Sequence, residues 1–189
     1  MSVLIVGVLL WSVVHLLPSL MPAQRARLLA ALGENKYKGL FSLALVVALV
    51  LIVVGWRNAE VRAVYHPPLY GSPVITLLMF VSFLLFAAAS APGNIKRWLR
   101  HPMLTGMALW GATHLLANGD NRSIVLFGGL GLWAVVEIVT VSRRDGAWQK
   151  AAAVPFSKDV MTVVATAVIF AAVAYGHRWL FGVPAIPGL

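Results

Sequence analysis

The chain contains no cysteine and only 6 acidic residues. The first absence excludes disulfides, thiolate metal sites and a cysteine nucleophile, and leaves the redox compartment undecided. The scarcity of charge excludes more. Charged side chains make up 11% of the 189 residues and apolar ones 60%, whereas about a quarter of a soluble domain is charged. A polar skin cannot be assembled from so few groups. Soluble-enzyme signatures are missing as well: G-x-x-x-x-G-K-[ST], G-x-S-x-G and H-E-x-x-H do not occur.

What the chain does have is long apolar runs. Crossing a bilayer takes about 20 helical residues, and six runs qualify as spans: Met1–Leu17, Gly39–Trp56, Pro73–Ala91, Met103–Asn118, Ser123–Ser142 and Asp159–Phe181. The fourth is the shortest. The first lacks the basic start and small-residue cleavage site of a secretory signal, and reads as a retained span. The prolines (Pro18, Pro22, Pro67, Pro68, Pro73, Pro92, Pro102, Pro155, Pro184 and Pro187) are expected at or beyond span ends, because proline lacks a backbone donor and clashes with the preceding turn. The runs are continuous rather than alternating, which argues against a β-barrel. The expected fold is an all-α integral membrane protein of six transmembrane helices, one polytopic domain over residues 1–189.

The formal charge of +9 does not indicate a nucleic-acid partner, because the cations sit in short clusters between apolar runs. Connections one, three and five hold eleven: Arg25, Arg27, Lys36, Lys38, Lys96, Arg97, Arg100, Arg143, Arg144, Lys150 and Lys158. Arg57, Arg62, Arg122 and Arg178 fall on the other side. The positive-inside rule then predicts cytoplasmic odd connections and both termini outside. The outer connection Arg57–Ser72 reads as an ordinary loop, with a small lid as the alternative. Asn118–Ser123 reads first as a tight turn and only secondarily as a functional site for Asp120.

Two stretches echo one another. Span one reads Leu10-Trp11-Ser12-Val13-Val14-His15-Leu16-Leu17, and span four reads Leu109-Trp110-Gly111-Ala112-Thr113-His114-Leu115-Leu116. Both have the form L-W-x-x-x-H-L-L. Leu40-Phe41-Ser42 and Leu126-Phe127-Gly128 echo each other in spans two and five. Coincidence in an apolar chain is one explanation and an internal repeat is the other. A repeat would give two three-helix halves of inverted topology. His15 and His114 would then lie on opposite sides of the midplane, a symmetric pair able to grip something between them.

Ionisable groups inside a span are costly and face the protein interior. The candidates are His15, His114, Glu137 and His177, with His101 at a boundary. His177, near a helix end, reads as a hydrogen-bonded structural residue. Glu137 is expected to pair with His15, with His101, or with a local hydrogen-bond donor. Trp11 and Trp110 precede His15 and His114 by four and share their helix faces. An aromatic wall beside an imidazole suits a flat, apolar cofactor, and two neutral imidazoles on opposing helices are the usual protein side of bis-histidine haem ligation. Zinc is disfavoured, since third and fourth ligands are not evident.

Arg100-His101-Pro102-Met103-Leu104-Thr105-Gly106, continued by Leu109-Trp110 and His114 to Asp120, resembles the central signature of NnrU-type membrane proteins. Trp11 to Pro18, Leu32-Gly33, Tyr37 to Ser42, Pro67-Pro68 and Ser142-Arg143-Arg144 fit the same family. The resemblance implies a protein of the bacterial inner membrane that supports nitrite and nitric oxide reduction through a redox, sensing or maturation role. Its expected partners are respiratory or nitrogen-oxide reductase components. The family is related to 15-cis-zeta-carotene isomerase, a haem b enzyme whose two ligand histidines match His15 and His114 and whose R-H-P histidine matches His101. Haem b is therefore the implied cofactor, with Trp11 and Trp110 lining its pocket. His101 and Arg100 are implied at a propionate or a proton path. The isomerase carries a cysteine one helical turn before its second ligand. Here that position is Gly111, which puts a ligand switch and carotenoid isomerisation in doubt. Isoprenylcysteine-type methyltransferases share the R-H-P step. Their later acidic pair and aromatic motif do not follow Ser142-Arg143-Arg144-Asp145-Gly146. A haem-dependent cis-trans isomerase of a polyene such as zeta-carotene, an isoprenylcysteine-type methyltransferase and a non-enzymatic assembly partner of a respiratory complex are the alternatives.

Overall fold

A computed structural model describes residues 1–186 of the chain; Pro187 lies outside them. The elements are α1 (Ser2–Leu20), α2 (Pro22–Leu32), α3 (Glu34–Asn58), α4 (Pro73–Ser90), a 3-10 turn at Ile95–Arg97, α5 (Pro102–Ala117), α6 (Asn121–Asp145) and α7 (Phe156–Phe181). No strand occurs among the described residues. The nearest approach to one is an isolated antiparallel bridge between Ala63 and Asp120.

Five of these helices, α1, α3, α4, α6 and α7, are long and apolar enough to cross a membrane, and their span windows are at most 28% buried within the protein. Large apolar side chains cover their outer faces, among them Leu43, Leu77, Leu132 and Val168, each more than half exposed. In water such surfaces would drive aggregation; in lipid they are solvated. The chain is thus a multi-pass membrane protein. The expected fourth span is α5, whose 16 residues reach about 24 Å at the helical rise. That falls short of a hydrocarbon core about 30 Å thick.

The helix ends follow proline chemistry, with one correction. Pro22, Pro73 and Pro102 each open a helix, where a missing donor costs nothing. Pro18, expected beyond span one, lies inside α1. Only the last turn of α1 follows it, and Met21 N–H still reaches the Leu17 carbonyl at 2.9 Å, so one lost bond does not end the helix. A further helix in the first connection, α2, was not expected. Within α6, Ile124–Gly128 forms a π-helical turn.

The described chain forms two compact units that interleave along the sequence. The first comprises Met1–His66 and Gly119–Ala147, and the second begins as Pro67–Asn118 and resumes at Trp148. In the first unit, α1 and α3 run antiparallel with small residues at their contact. Gly7 sits against Ile52 and Gly55 against the Leu4 backbone, and Leu4 and Ala48 are fully buried. Lipid offers no hydrophobic incentive for helices to associate, so close packing of this kind has to hold them. α6 runs alongside α1, with Gly129 against Val8. The loop before His66 is stapled to the start of α6: Val64 N–H donates to the Gly119 carbonyl at 2.8 Å, and Asn121 N–H to that of Arg62 at 3.0 Å. The expected loop is therefore ordered by backbone pairing.

Asp120 caps α6. Its carboxylate accepts from Arg122 N–H at 2.9 Å, Ser123 N–H at 3.1 Å and the Ser123 hydroxyl at 2.6 Å. Burial alone would raise its pKa, but the Ser123 bonds and the Arg122 charge outweigh burial and hold it below the usual aspartate value. A cap of this type contributes about 1 kcal/mol. Asp120→Ala is expected to lower the thermal midpoint accordingly. Because the folded-state pKa is depressed, the stabilisation is fully present above the unfolded value of about 3.9 and is lost as pH falls through the folded value. Thermal melts of wild type and Asp120→Ala should therefore converge under acid; a gap that widens there would contradict the capping role.

In the second unit, α4 and α5 meet where the fully buried Ser82 hydroxyl donates to the Gly106 carbonyl at 2.6 Å. Phe80 and Phe83 of α4 stand edge-on to Phe170 of α7, at 5.7 and 5.4 Å. Asp159, at the start of α7, accepts from Asn94 N–H at 2.6 Å. The Asn94 side chain also reaches the Val154 carbonyl. This ties the turn after α4 to the root of α7.

Candidate functional site

His15 lies in α1 of the first unit and His114 in α5 of the second. Each ring is held in the same way by its own helix. His15 Nδ1 is 2.9 Å from the Trp11 carbonyl, and His114 Nδ1 is 2.9 Å from the Trp110 carbonyl. A carbonyl only accepts, so each Nδ1 must carry the proton. That tautomer leaves the lone pair on Nε2, the form in which histidine ligates a metal. The tryptophan four residues earlier packs tilted against each imidazole, with centroids 4.5 Å apart for Trp11 and His15 and 4.6 Å for Trp110 and His114. The two echoed sequences thus adopt one local geometry.

Around His15 the first unit adds two rings from distant sequence. Trp133 of α6 lies 4.8 Å away and Phe41 of α3 6.0 Å away. Trp133 stands edge-on to Trp11 at 6.0 Å. The indole N–H groups of Trp11 and Trp133 are shut off from solvent without a hydrogen-bond partner. Such orphaned donors are rare and call for a reason. Beside His114, Thr113 is fully buried and its hydroxyl is likewise unpartnered.

Of the other expected residues, His177 lies within electrostatic reach of His114 in the second unit; the rest fall elsewhere. His101 precedes the first residue of α5 and caps it through its backbone, its carbonyl accepting from Thr105 N–H at 2.9 Å. Arg100 precedes it. His114 is in the last turn of the same helix, about 20 Å along the axis from His101 at the helical rise. The second unit therefore separates His101 and Arg100 from the His114 ring. Glu137 is buried and accepts from the Ser19 hydroxyl at 3.2 Å, and Thr140 donates to Ser19 at 3.1 Å. Its partner is thus a serine at the end of α1. The expected pairing with His15 does not form: the Glu137 carboxylate is taken by Ser19 and the His15 Nδ1 by the Trp11 carbonyl. His177 Nδ1–H donates to the Val183 carbonyl at 2.7 Å, as expected of a structural residue near a helix end. Among the described residues no three histidine or carboxylate side chains cluster as a metal cage.

Sequence reasoning did not single out Trp133 or Ser19. A signal for Trp133 existed: it precedes Glu137 by four, the spacing that ties Trp11 to His15. Ser19 offered none, since it lies 118 positions from Glu137.

Comparisons with curated proteins and with solved structures gave no match. A family model described as NnrU protein matches residues 3–185. That match takes in both W-x-x-x-H segments, the R-H-P step and the capping Asp120, nearly the whole chain, and so the chain belongs to the NnrU family.

Proposed function

We propose that this chain is a haem b-binding protein of the bacterial inner membrane, with His15 and His114 as axial ligands, supporting nitrite and nitric oxide reduction in a redox, sensing or maturation role. The observation that carries the reading is the matching 2.9 Å contact of each imidazole Nδ1 with the carbonyl four residues earlier. Each imidazole donates from Nδ1 to a carbonyl of its own helix, which orients the ring and directs the Nε2 lone pair outward from that bond. The donor chemistry fits haem. Two neutral imidazoles satisfy an iron already held by a porphyrin, so no three-residue cage is needed. Aromatic rings beside His15 suit a flat apolar ligand, and the unpartnered indole donors suit acceptors on its rim. Haem iron supplies one-electron chemistry when bound. The protein's own part is to fix two ring orientations and to exclude water with Trp11, Trp110 and Trp133.

In this reading α5 also enters the bilayer as a sixth, short span, the odd connections face the cytoplasm and both termini lie outside. The cation asymmetry supports that orientation. The visible spectrum of detergent-purified protein tests the haem assignment. A Soret band with one haem per chain by pyridine haemochrome is expected. Protein purified from haem-replete cells that shows no band, and takes up none on reconstitution, would remove it.

A further inference from the structure

At one end of the first unit the C-terminal turn of α1, the first turns of α3 and the last turn of α6 enclose an open cleft of about 610 Å³. Three cations from three helices line it: Arg25 of α2, Lys38 of α3 and Arg144 of α6. Its apolar wall includes Pro18 and Phe41. We propose that this cleft seats the phosphate headgroup of an anionic phospholipid.

Helices long enough to span must leave the hydrocarbon near their ends, so a cleft at the ends of α1, α3 and α6 lies at headgroup depth. α2 continues from α1 through a sharp bend at Met21 and buries none of its residues in the protein. Leu28, Leu29 and Leu32 share one of its faces, the pattern of a helix lying in the membrane interface. The phosphate has donors waiting. Arg25 has no carboxylate partner among the described residues and rests 6.0 Å over the Tyr37 ring. Lys38 and Arg144 form salt bridges with Glu34 and Asp145 in exposed contacts that hold little energy, and the Glu137 carboxylate acts on Arg144 only through space, so both cations can still bind an anion. Independently, the Tyr37 hydroxyl is buried and has no partner, although Tyr37 lines the cleft. A phosphate oxygen would satisfy it. The apolar wall suits acyl chains, which free phosphate lacks. Every cation here also belongs to the set expected on the cytoplasmic side, where anionic lipid gathers.

The test uses the full chain in neutral detergent and native mass spectrometry. It is titrated separately with phosphatidylglycerol, phosphatidylcholine of the same chains, and inorganic phosphate. Saturable binding of one phosphatidylglycerol is expected, with phosphatidylcholine at least tenfold weaker. Arg25→Gln, Lys38→Gln and Arg144→Gln should each weaken it about fivefold, and Tyr37→Phe should weaken it measurably. Lys96→Gln, in the other unit, should leave it unchanged. Lipid-free melting curves identify any variant that fails to fold, and the remaining single variants still decide the question. Equal binding of the two lipids, or insensitivity to all three cation substitutions, would overturn the proposal. So would inorganic phosphate displacing the lipid at equal concentration, which would make the cleft a free-anion site.

Discussion

Purified His15→Ala and His114→Ala proteins are each expected to retain under about a tenth of the wild-type haem. The two effects should not add, because under the proposed ligation both imidazoles would hold one haem, so removing either would break the site and leave the second loss little to remove. The way each ring is held sharpens this expectation. In both helices the ring is positioned by a backbone carbonyl at 2.9 Å, a bond that no side-chain replacement elsewhere can delete. Substitutions around the rings should therefore tune the site without abolishing it. Trp11→Phe keeps an aromatic wall and loses the unpartnered indole donor, so haem should remain bound with a shifted Soret maximum or reduction potential. Trp133→Phe should behave similarly, since Trp133 lies 4.8 Å from His15. His177→Ala should keep full haem content, because that ring is engaged with the Val183 carbonyl. The diagnostic pattern is a loss confined to His15 and His114. Haem content unchanged in both alanine variants would eliminate the ligation and leave the two W-x-x-x-H motifs as structural devices.

How much of the fold and site is legible in the sequence depends on the range of the interaction. Spans are set by local composition, and the expected runs correspond to α1, α3, α4, α6 and α7 within a few residues. The i to i+4 relation of tryptophan to histidine is fixed by helix geometry, so the local halves of the site are legible in the residue order alone. α2 was missed because its 11 residues are too short to span and its two arginines made it look like a charged loop. The run Ala-Gln-Arg-Ala-Arg-Leu-Leu-Ala-Ala-Leu is nonetheless made of strong helix formers, and Pro22 opens it correctly. Pro18 misled because proline's cost depends on how many helical bonds follow it. The least legible features are those joining distant segments. No local pattern pairs Ser19 with Glu137 or brings Trp133 to His15, because those contacts exist only once α6 lies along α1. A small residue likewise carries no mark of what will press against it, so Gly39 and Gly55 look alike on paper.

Those two glycines should respond to alanine with opposite signs. Both lie in α3. A Cβ at Gly39 would meet nothing within 4 Å, whereas one at Gly55 would collide with the backbone N and Cα of Leu4. In an open helical position, replacing glycine by alanine removes unfolded-state entropy and stabilises by roughly 0.5–1 kcal/mol. At Gly55 the same gain is available but is outweighed. The obstructing atoms are helix backbone, which cannot rotate aside as a long side chain would, so α1 must shift as a body. Leu4 and Ala48 are fully buried along that contact, and separating the helices would open the packing at both. Overpacking typically costs about 1–3 kcal/mol, and a backbone collision belongs at the upper end. Gly39→Ala should therefore raise the thermal midpoint in detergent and Gly55→Ala should lower it by the larger amount. Gly55→Val should fail to give monodisperse protein. Compensation offers a sharper check. Only groups in contact couple strongly, and the obstruction at Gly55 is backbone, so trimming Leu4 to alanine should not restore Gly55→Ala. Recovery of stability in that double variant would mean the α1–α3 contact is made by side chains, and the close approach of the two helix backbones would have to be abandoned.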